Sequence, residues 1–564
     1  MSFPTVRLED VGKSCGGGRA GYVLANRLSE TKDCTVLVVE RDQPSLTCAS
    51  QVPLLSAAFQ GDESRNLKFA SAPQKHVENK EMEVIVGNAM GGSSRIDGMI
   101  YTRGISGQFN EWHAQGRKGW SYDDLHSCFL KSERALDERE WCNRSHSKVY
   151  FPSADRNVWA PQTDSETLKP VLVWIYGGAF AFGTASIPGY DGTTLAKSQD
   201  IVVVTFNYRT NVFGFAGPNS NDGISDKNVG FLDQDLALKW VQDNIANFGG
   251  DPTRVTINGE SAGSMAVAWL LQRSKGKDLF RAGILQSGAA VSAMVPPPAQ
   301  NGFIKLRNAM GCNVRAPPPV LACLKGKTAK QISDFMNLEG SPAFGPVYDS
   351  DTTFRQPLTR ITNGETVQVP LIIGANQDDG SLFVGNANDV TTWVQQTFLY
   401  LVNATKVKNE YGYDAEKQND KAVIGEAIRD VAFLCPGGLT ANKFIQKGVT
   451  IFRYQYGAAF ENETIPGAWH SSEVPIVFGT YKKPNAGKEE LSKTLQQIWG
   501  NFVKDPFTSP APNWDQYSPT SETGLAKLAY NGNLEYDNVV EAVAGDASDG
   551  PCERIWNNFY PRPQ

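Results

Sequence analysis

Over most of this chain, short apolar runs alternate with amphipathic segments. Runs rich in β-branched and aromatic residues at 171–176, 201–208, 255–257, 283–285, 370–376 and 449–456 read as strands. Between them Leu232, Leu236 and Trp240 recur at i, i+4, i+8. Farther on, Leu491, Leu495, Ile498, Trp499 and Phe502 mark one face of a long helix. Such alternation predicts an α/β domain over 170–564, with a mostly parallel central sheet covered by helices on both faces. The proline runs 296–298 and 317–319 read as loops. A polar, charge-rich stretch at 136–169 reads as a junction, and residues 1–135 follow a different pattern.

The segment 255–263 carries the chemistry. A β-branched strand, Val255-Thr256-Ile257, runs into Gly259-Glu260-Ser261-Ala262-Gly263 and then a helical stretch. In that context glycines on both sides let strand and helix approach closely, and Ser261 is presented on a sharp turn as a nucleophile. A serine nucleophile needs a base. The chain has 5 histidines, His76, His113, His126, His146 and His470. In α/β-hydrolases the order is Ser, then Asp or Glu, then His, which only His470 satisfies. The acid should follow an apolar strand, because such sheets place function at the carboxyl ends of their strands. The run 370–376 is followed by Gln377-Asp378-Asp379-Gly380, and spacing alone does not separate the two aspartates. The strand 171–176 leads into Gly177-Gly178-Ala179-Phe180, a glycine-rich turn suited to presenting backbone N–H groups to an oxyanion.

From about residue 155 onward the chain resembles the type-B carboxylesterase/lipase family, which includes the cholinesterases. Besides the motifs above, the resemblance rests on 170–178, 233–241, 378–383 and Val474-Pro475-Ile476-Val477-Phe478-Gly479. It implies an α/β-hydrolase fold and carboxylic ester hydrolysis through an acyl-enzyme, without a cofactor or metal. It assigns the acid to Asp379, where the family usually has Glu, and the oxyanion donors to Gly178, Ala179 and Ala262. It also implies two disulfides, Cys312 with Cys323 and Cys435 with Cys552. The sequons at Asn143, Asn403 and Asn462 would suit a glycoprotein of an oxidising compartment, but the first ten residues lack the apolar core of a signal peptide.

The amino-terminal part contains Gly16-Gly17-Gly18-Arg19-Ala20-Gly21, then a helix-like run, then 35–39 ending at Glu40. A glycine turn before a helix cradles a pyrophosphate, and an acid after the second strand holds a ribose. With 91–101 and 119–125, these features resemble the FAD-binding part of glucose-methanol-choline (GMC) oxidoreductases over about 10–135. The resemblance makes Gly16, Gly18, Gly21 and Glu40 candidate FAD contacts in an incomplete Rossmann-like fragment. The first strand carries Lys13 and Ser14 where apolar residues are expected, and nothing downstream resembles the half that completes a flavin site. FAD binding is therefore not expected.

Composition narrows the field. At 41% hydrophobic and 20% charged the chain is of globular type. A net charge of −6 gives no reason to expect a nucleic-acid partner. No apolar run is long enough for a membrane span. The expected partner is a small-molecule ester; oligomeric state is not legible. Two other functions remain: a flavin oxidoreductase remnant, and a hydrolase-like binding protein without activity.

Overall fold

The computed structural model describes residues 13–16, 36–39, 66–73, 81, 83–87 and 106–125. It also describes 156–560 except 162–166, 218–226, 292–299, 313–318, 337–343, 462–464, 483–484 and 558. The chain divides into two compact units, Met1–Val149 and Tyr150–Gln564.

In the first unit, strands β1 (Lys13–Gly16) and β2 (Val36–Val39) pair in parallel, with Gly16 opposite Val39. The polar Lys13 and Ser14 do not prevent a strand. Strands β3 (Asn66–Ala70) and β4 (Glu83–Gly87) form an antiparallel pair, and a helix spans Ser106–Ala114. Phe109, Trp112, Tyr122 and Trp120 contact one another around that helix. Among the side chains described in this unit none is buried. Gly18, Gly21, Glu40, His76, His126 and His146 lie outside the described residues.

The second unit is built on a nine-stranded sheet. Its strands are β5 (Arg156–Trp159), β6 (Lys169–Ile175), β7 (Val202–Phe206), β8 (Gly250–Glu260), β9 (Ala282–Gln286), β10 (Leu371–Asn376), β11 (Ile451–Tyr456), β12 (Leu525–Leu528) and β13 (Val540–Val543). The spatial order is β13-β12-β11-β10-β9-β8-β6-β7-β5. From β7 to β12 all neighbours are parallel; only the edge strands β5 and β13 run antiparallel. The edge strand β5 falls inside the stretch expected to be a junction.

Helices cover both faces. Gly283 of β9 faces Val267 in the helix Ala262–Arg273. Gln286, an odd number of residues along the same strand and so on the opposite face, accepts a hydrogen bond from Trp499 Nε1 in the helix Ala486–Lys504. The central strands β6, β7 and β9 are almost wholly buried, which explains why they read as continuous apolar runs rather than alternating ones. Leu491, Leu495, Ile498, Trp499 and Phe502 are buried as their spacing predicts.

The helix Val229–Asn244 corrects the reading of its apolar stripe. Leu232 and Leu236 are 41% and 46% exposed, while Phe231, Gln234, Leu238 and Val241 are buried. The buried set also follows helical spacing, and burying the Phe231 ring removes more apolar surface than Leu232 would. Phe231 stacks edge-on against Phe180 and Phe215. Gln234 stays on the inner face as a hydrogen-bond acceptor for Arg273. Pro319, expected in a loop, begins the helix Pro319–Lys325.

The cysteines pair as the family resemblance implies, Cys312 with Cys323 and Cys435 with Cys552. Asn403 is exposed and caps the helix Ala404–Glu410; Asn143 and Asn462 lie outside the described residues. No described helix is long and apolar enough to cross a membrane.

Candidate active site

Four strands deliver the candidate residues at their carboxyl ends. β8 ends at Glu260, and Ser261 follows at φ 58°, ψ −123° before the helix Ala262–Arg273 begins. This left-handed, non-glycine conformation is costly, of order 1–3 kcal/mol, and persists only where surrounding structure enforces it. Here Ser261 N–H donates to Gln286 O of β9 at 2.9 Å, and Ser261 O accepts from Met265 N–H at 2.9 Å. Close approach requires glycine: a Cβ on Gly263 would overlap the Ile175 carbonyl, and one on Gly259 would overlap the Gly263 carbonyl.

His470 lies in the loop after β11, and Asp379 lies three residues beyond β10. His470 Nδ1 is 2.8 Å from Asp379 Oδ1, with the ring 7% and the carboxylate 0% exposed. Asp379 Oδ2 accepts from Ser287 Oγ at 2.8 Å and from Asn376 N–H at 2.7 Å. These bonds fix the carboxylate and leave Oδ1 to the imidazole. Asp378 makes no such contact. Its Oδ2 accepts from Ala468 N–H at 2.8 Å, so of the two adjacent aspartates Asp379 meets the ring.

On the other side of the imidazole, Nε2 lies 3.1 Å from Glu260 Oε1 and has no hydrogen-bond partner among the described residues. The Glu260 contact is thus one of charge rather than a directed hydrogen bond. Glu260 Oε1 accepts from Ser471 Oγ at 2.6 Å. Glu473 is buried close by, accepting from Gln286 Nε2 at 2.9 Å and from Asn376 Nδ2. Burial disfavours a charged His470 ring, but Glu260, the Asp379 hydrogen bond and charge, and Glu473 outweigh it and raise its pKa from 6.5 to about 9. Burial and then the Glu260 charge push Glu473 up to about 7, and burial raises Glu260. Phe433 and Phe383 flank the imidazole, with ring centroids 4.6 and 5.0 Å from it.

The glycine-rich turn after β6 approaches the serine from the other side. A Cβ on Gly177 would come within 2.9 Å of Ser261 Cβ. Gly178, Ala179 and Phe180 have φ of 107°, 54° and 59°, a run of left-handed residues that turns successive N–H groups out of a regular ladder. Ala262 is the first residue of its helix, where N–H groups have no partner within the helix. The structure therefore brings the turn to the serine, and His470 to Asp379. Glu260, Glu473, Ser287, Asn376, Phe383 and Phe433 were not singled out from sequence. Glu260 alone carried a signal, as the residue preceding Ser261 in the motif.

Comparison with known proteins gives the family. A family model described as the Carboxylesterase family matches residues 156–542. The chain belongs to the carboxylesterase family. The para-nitrobenzyl esterase of Bacillus subtilis (strain 168) is 35% identical over 393 residues, covering 65% of this chain and 77% of the relative. The crystal protein of Dictyostelium discoideum is 34% identical over 440 residues, 72% of this chain and 78% of the relative. A solved structure of PNB esterase superposes with a TM-score of 0.60 at 31% identity, covering 71% of this chain and 84% of that one. The second unit thus has the α/β-hydrolase fold.

A model described as GMC oxidoreductase matches residues 15–153. Of its candidate flavin contacts only Gly16 is described, at the end of β1. The two parallel strands there are joined by no third among the described residues, and no described side chain of the unit is buried. Hydrolysis by carboxylesterases requires no cofactor, and among the described residues no cluster of His, Cys, Asp and Glu could hold a metal.

Proposed function

We propose that this carboxylesterase-family protein hydrolyses small-molecule carboxylic esters through an acyl-enzyme on Ser261. The observation that carries the reading is the strained Ser261 backbone at the end of β8, directly after Glu260, whose Oε1 lies 3.1 Å from the Nε2 of a His470 buried against Asp379. Ser261 Oγ attacks the ester carbonyl carbon as its proton passes to His470 Nε2. Asp379 holds the Nδ1 proton, keeps Nε2 available as acceptor and stabilises the imidazolium that forms. The N–H groups of Gly178, Ala179 and Ala262 receive the negative oxygen. The C–O bond to the alcohol then breaks, and the alcohol leaves with the proton from Nε2. Water, deprotonated by the same nitrogen, releases the acid and restores Ser261.

In the resting site Nε2 lies beside Glu260. For catalysis Nε2 must come within hydrogen-bond reach of Oγ, and catalytic hydrogen bonds often tighten only when substrate binds. The test is steady-state hydrolysis of a short-chain p-nitrophenyl ester by the full chain and by Ser261→Ala. Activity lost in the folded variant is expected; activity retained would overturn the assignment.

A further inference from the structure

The two aspartates after β10 divide the work of holding one histidine. Asp379 grips the ring; Asp378 grips the backbone that carries it. Asp378 N–H donates to Ala468 O at 3.0 Å, and Asp378 Oδ2 accepts from Ala468 N–H at 2.8 Å. Asp378 thus clasps both polar groups of one peptide residue, two positions before His470. A parallel bridge continues the contact from Asp378 to Trp469, and Asn376 Nδ2 donates to Trp469 O at 2.9 Å. Gly467, at φ +81°, lies so close that a Cβ there would overlap the Asp378 carboxylate. Asp378 is itself fixed, because its carbonyl accepts from Ser381 N–H at 3.0 Å. Asp379, the next residue, is anchored from two further directions by Ser287 and Asn376.

The described residues between Tyr456 and His470 form no helix or strand that would aim the ring, and His470 lies 14 positions beyond the end of β11. Its alignment must come from such a clasp. We infer that Asp378 is a positioning residue: by clasping Ala468 it sets the distance of the His470 ring from both Asp379 and Ser261. This inference rests on the proposed hydrolysis, and it assigns to the second aspartate a function that spacing left open.

Three variants of the full chain test it: Asp378→Ala, Asp378→Asn and Asp378→Glu. Asn keeps an oxygen for Ala468 N–H, Ala removes it, and Glu moves it one methylene out. Displacements near 1 Å cost rate steeply, so kcat for the p-nitrophenyl ester should fall about tenfold to a hundredfold in Ala and Glu, with KM little changed. Asn should retain most of the activity.

The second readout is the His470 imidazole titration followed by NMR on histidine-labelled protein, which needs no turnover. Three carboxylates, Glu260, Asp379 and Glu473, act on that ring. Loosening it from them should move its titration to lower pH in Ala and Glu but not in Asn. If Asp378→Ala does not fold, the contrast between Asn and Glu decides. The inference is overturned if activity falls only with the folded fraction while the titration stays in place, or if Asn is as impaired as Ala. A wild type that hydrolyses no ester would refute the proposed function instead, and the titration would still judge the clasp.

Discussion

Replacing Glu260 by Gln removes one negative charge 3.1 Å from His470 Nε2 while keeping an oxygen for Ser471. At that distance and an effective dielectric constant of about 20, the attraction is about 5 kcal/mol. Burial opposes it, and the net result is a rise from 6.5 to about 9 to which Glu260, Asp379 and Glu473 all contribute. Glu260 is the largest of the contributions that raise the value, so its loss should lower the titration by about one to two pH units. The sign for activity follows from the base: His470 accepts a proton only when neutral. With its pKa raised from 6.5 to about 9, the ring is mostly protonated at neutral pH. The acid limb of kcat/KM should therefore lie on the alkaline side of neutrality in the wild type and move down in Glu260→Gln. The high-pH plateau should fall, because Glu260 also steadies the imidazolium formed in the transition state. The two profiles then cross. The assay is kcat/KM for a p-nitrophenyl ester across pH, corrected for the uncatalysed rate. An acid limb that does not move would refute the claim that Glu260 charges the ring.

Asp379→Asn should preserve the fold but lose about 10⁴ in kcat, because an amide no longer fixes the tautomer that leaves Nε2 as acceptor; a pH–rate series against wild type checks this. Removing the Cys435–Cys552 bridge with Cys435→Ser opens a link across 117 residues. The expected loss is about 4 to 5 kcal/mol of stability, read by denaturant unfolding, and an unchanged midpoint would contradict it. Gly263→Ala puts a methyl against the Ile175 carbonyl where strand and helix meet. It should destabilise by about 1–3 kcal/mol, as overpacking does, and reduce hydrolysis beyond the loss of folded protein because Ser261 moves with the turn.

Much of this site was legible because it is local. Ser261 stands in a strand–turn–helix whose glycines announce close packing, and His470 is the only histidine after it in the chain. Spacing alone did not separate the acid, because Asp378 and Asp379 occupy one turn after one strand; the family resemblance pointed to Asp379. Only the fold shows that one meets a ring and the other a peptide. The buried carboxylates around the base are also a product of three dimensions, since Glu260 ends β8 and Glu473 caps the helix Val474–Phe478, 213 positions away in the chain. The helix Val229–Asn244 misled because it carries two apolar stripes, and periodicity does not say which one faces the sheet. At the amino terminus, β1 forms despite Lys13 and Ser14 because parallel pairing with β2 uses backbone groups, which polar side chains leave free.

The most direct test of the account is to trap the acyl-enzyme. The full chain is mixed with a p-nitrophenyl ester, quenched within one turnover, digested and mapped by mass spectrometry. The account predicts the acyl group on the peptide containing Ser261, formed in step with the p-nitrophenol burst, and no such adduct in Ser261→Ala. An acyl group found on another residue, or hydrolysis that continues in Ser261→Ala, would contradict it.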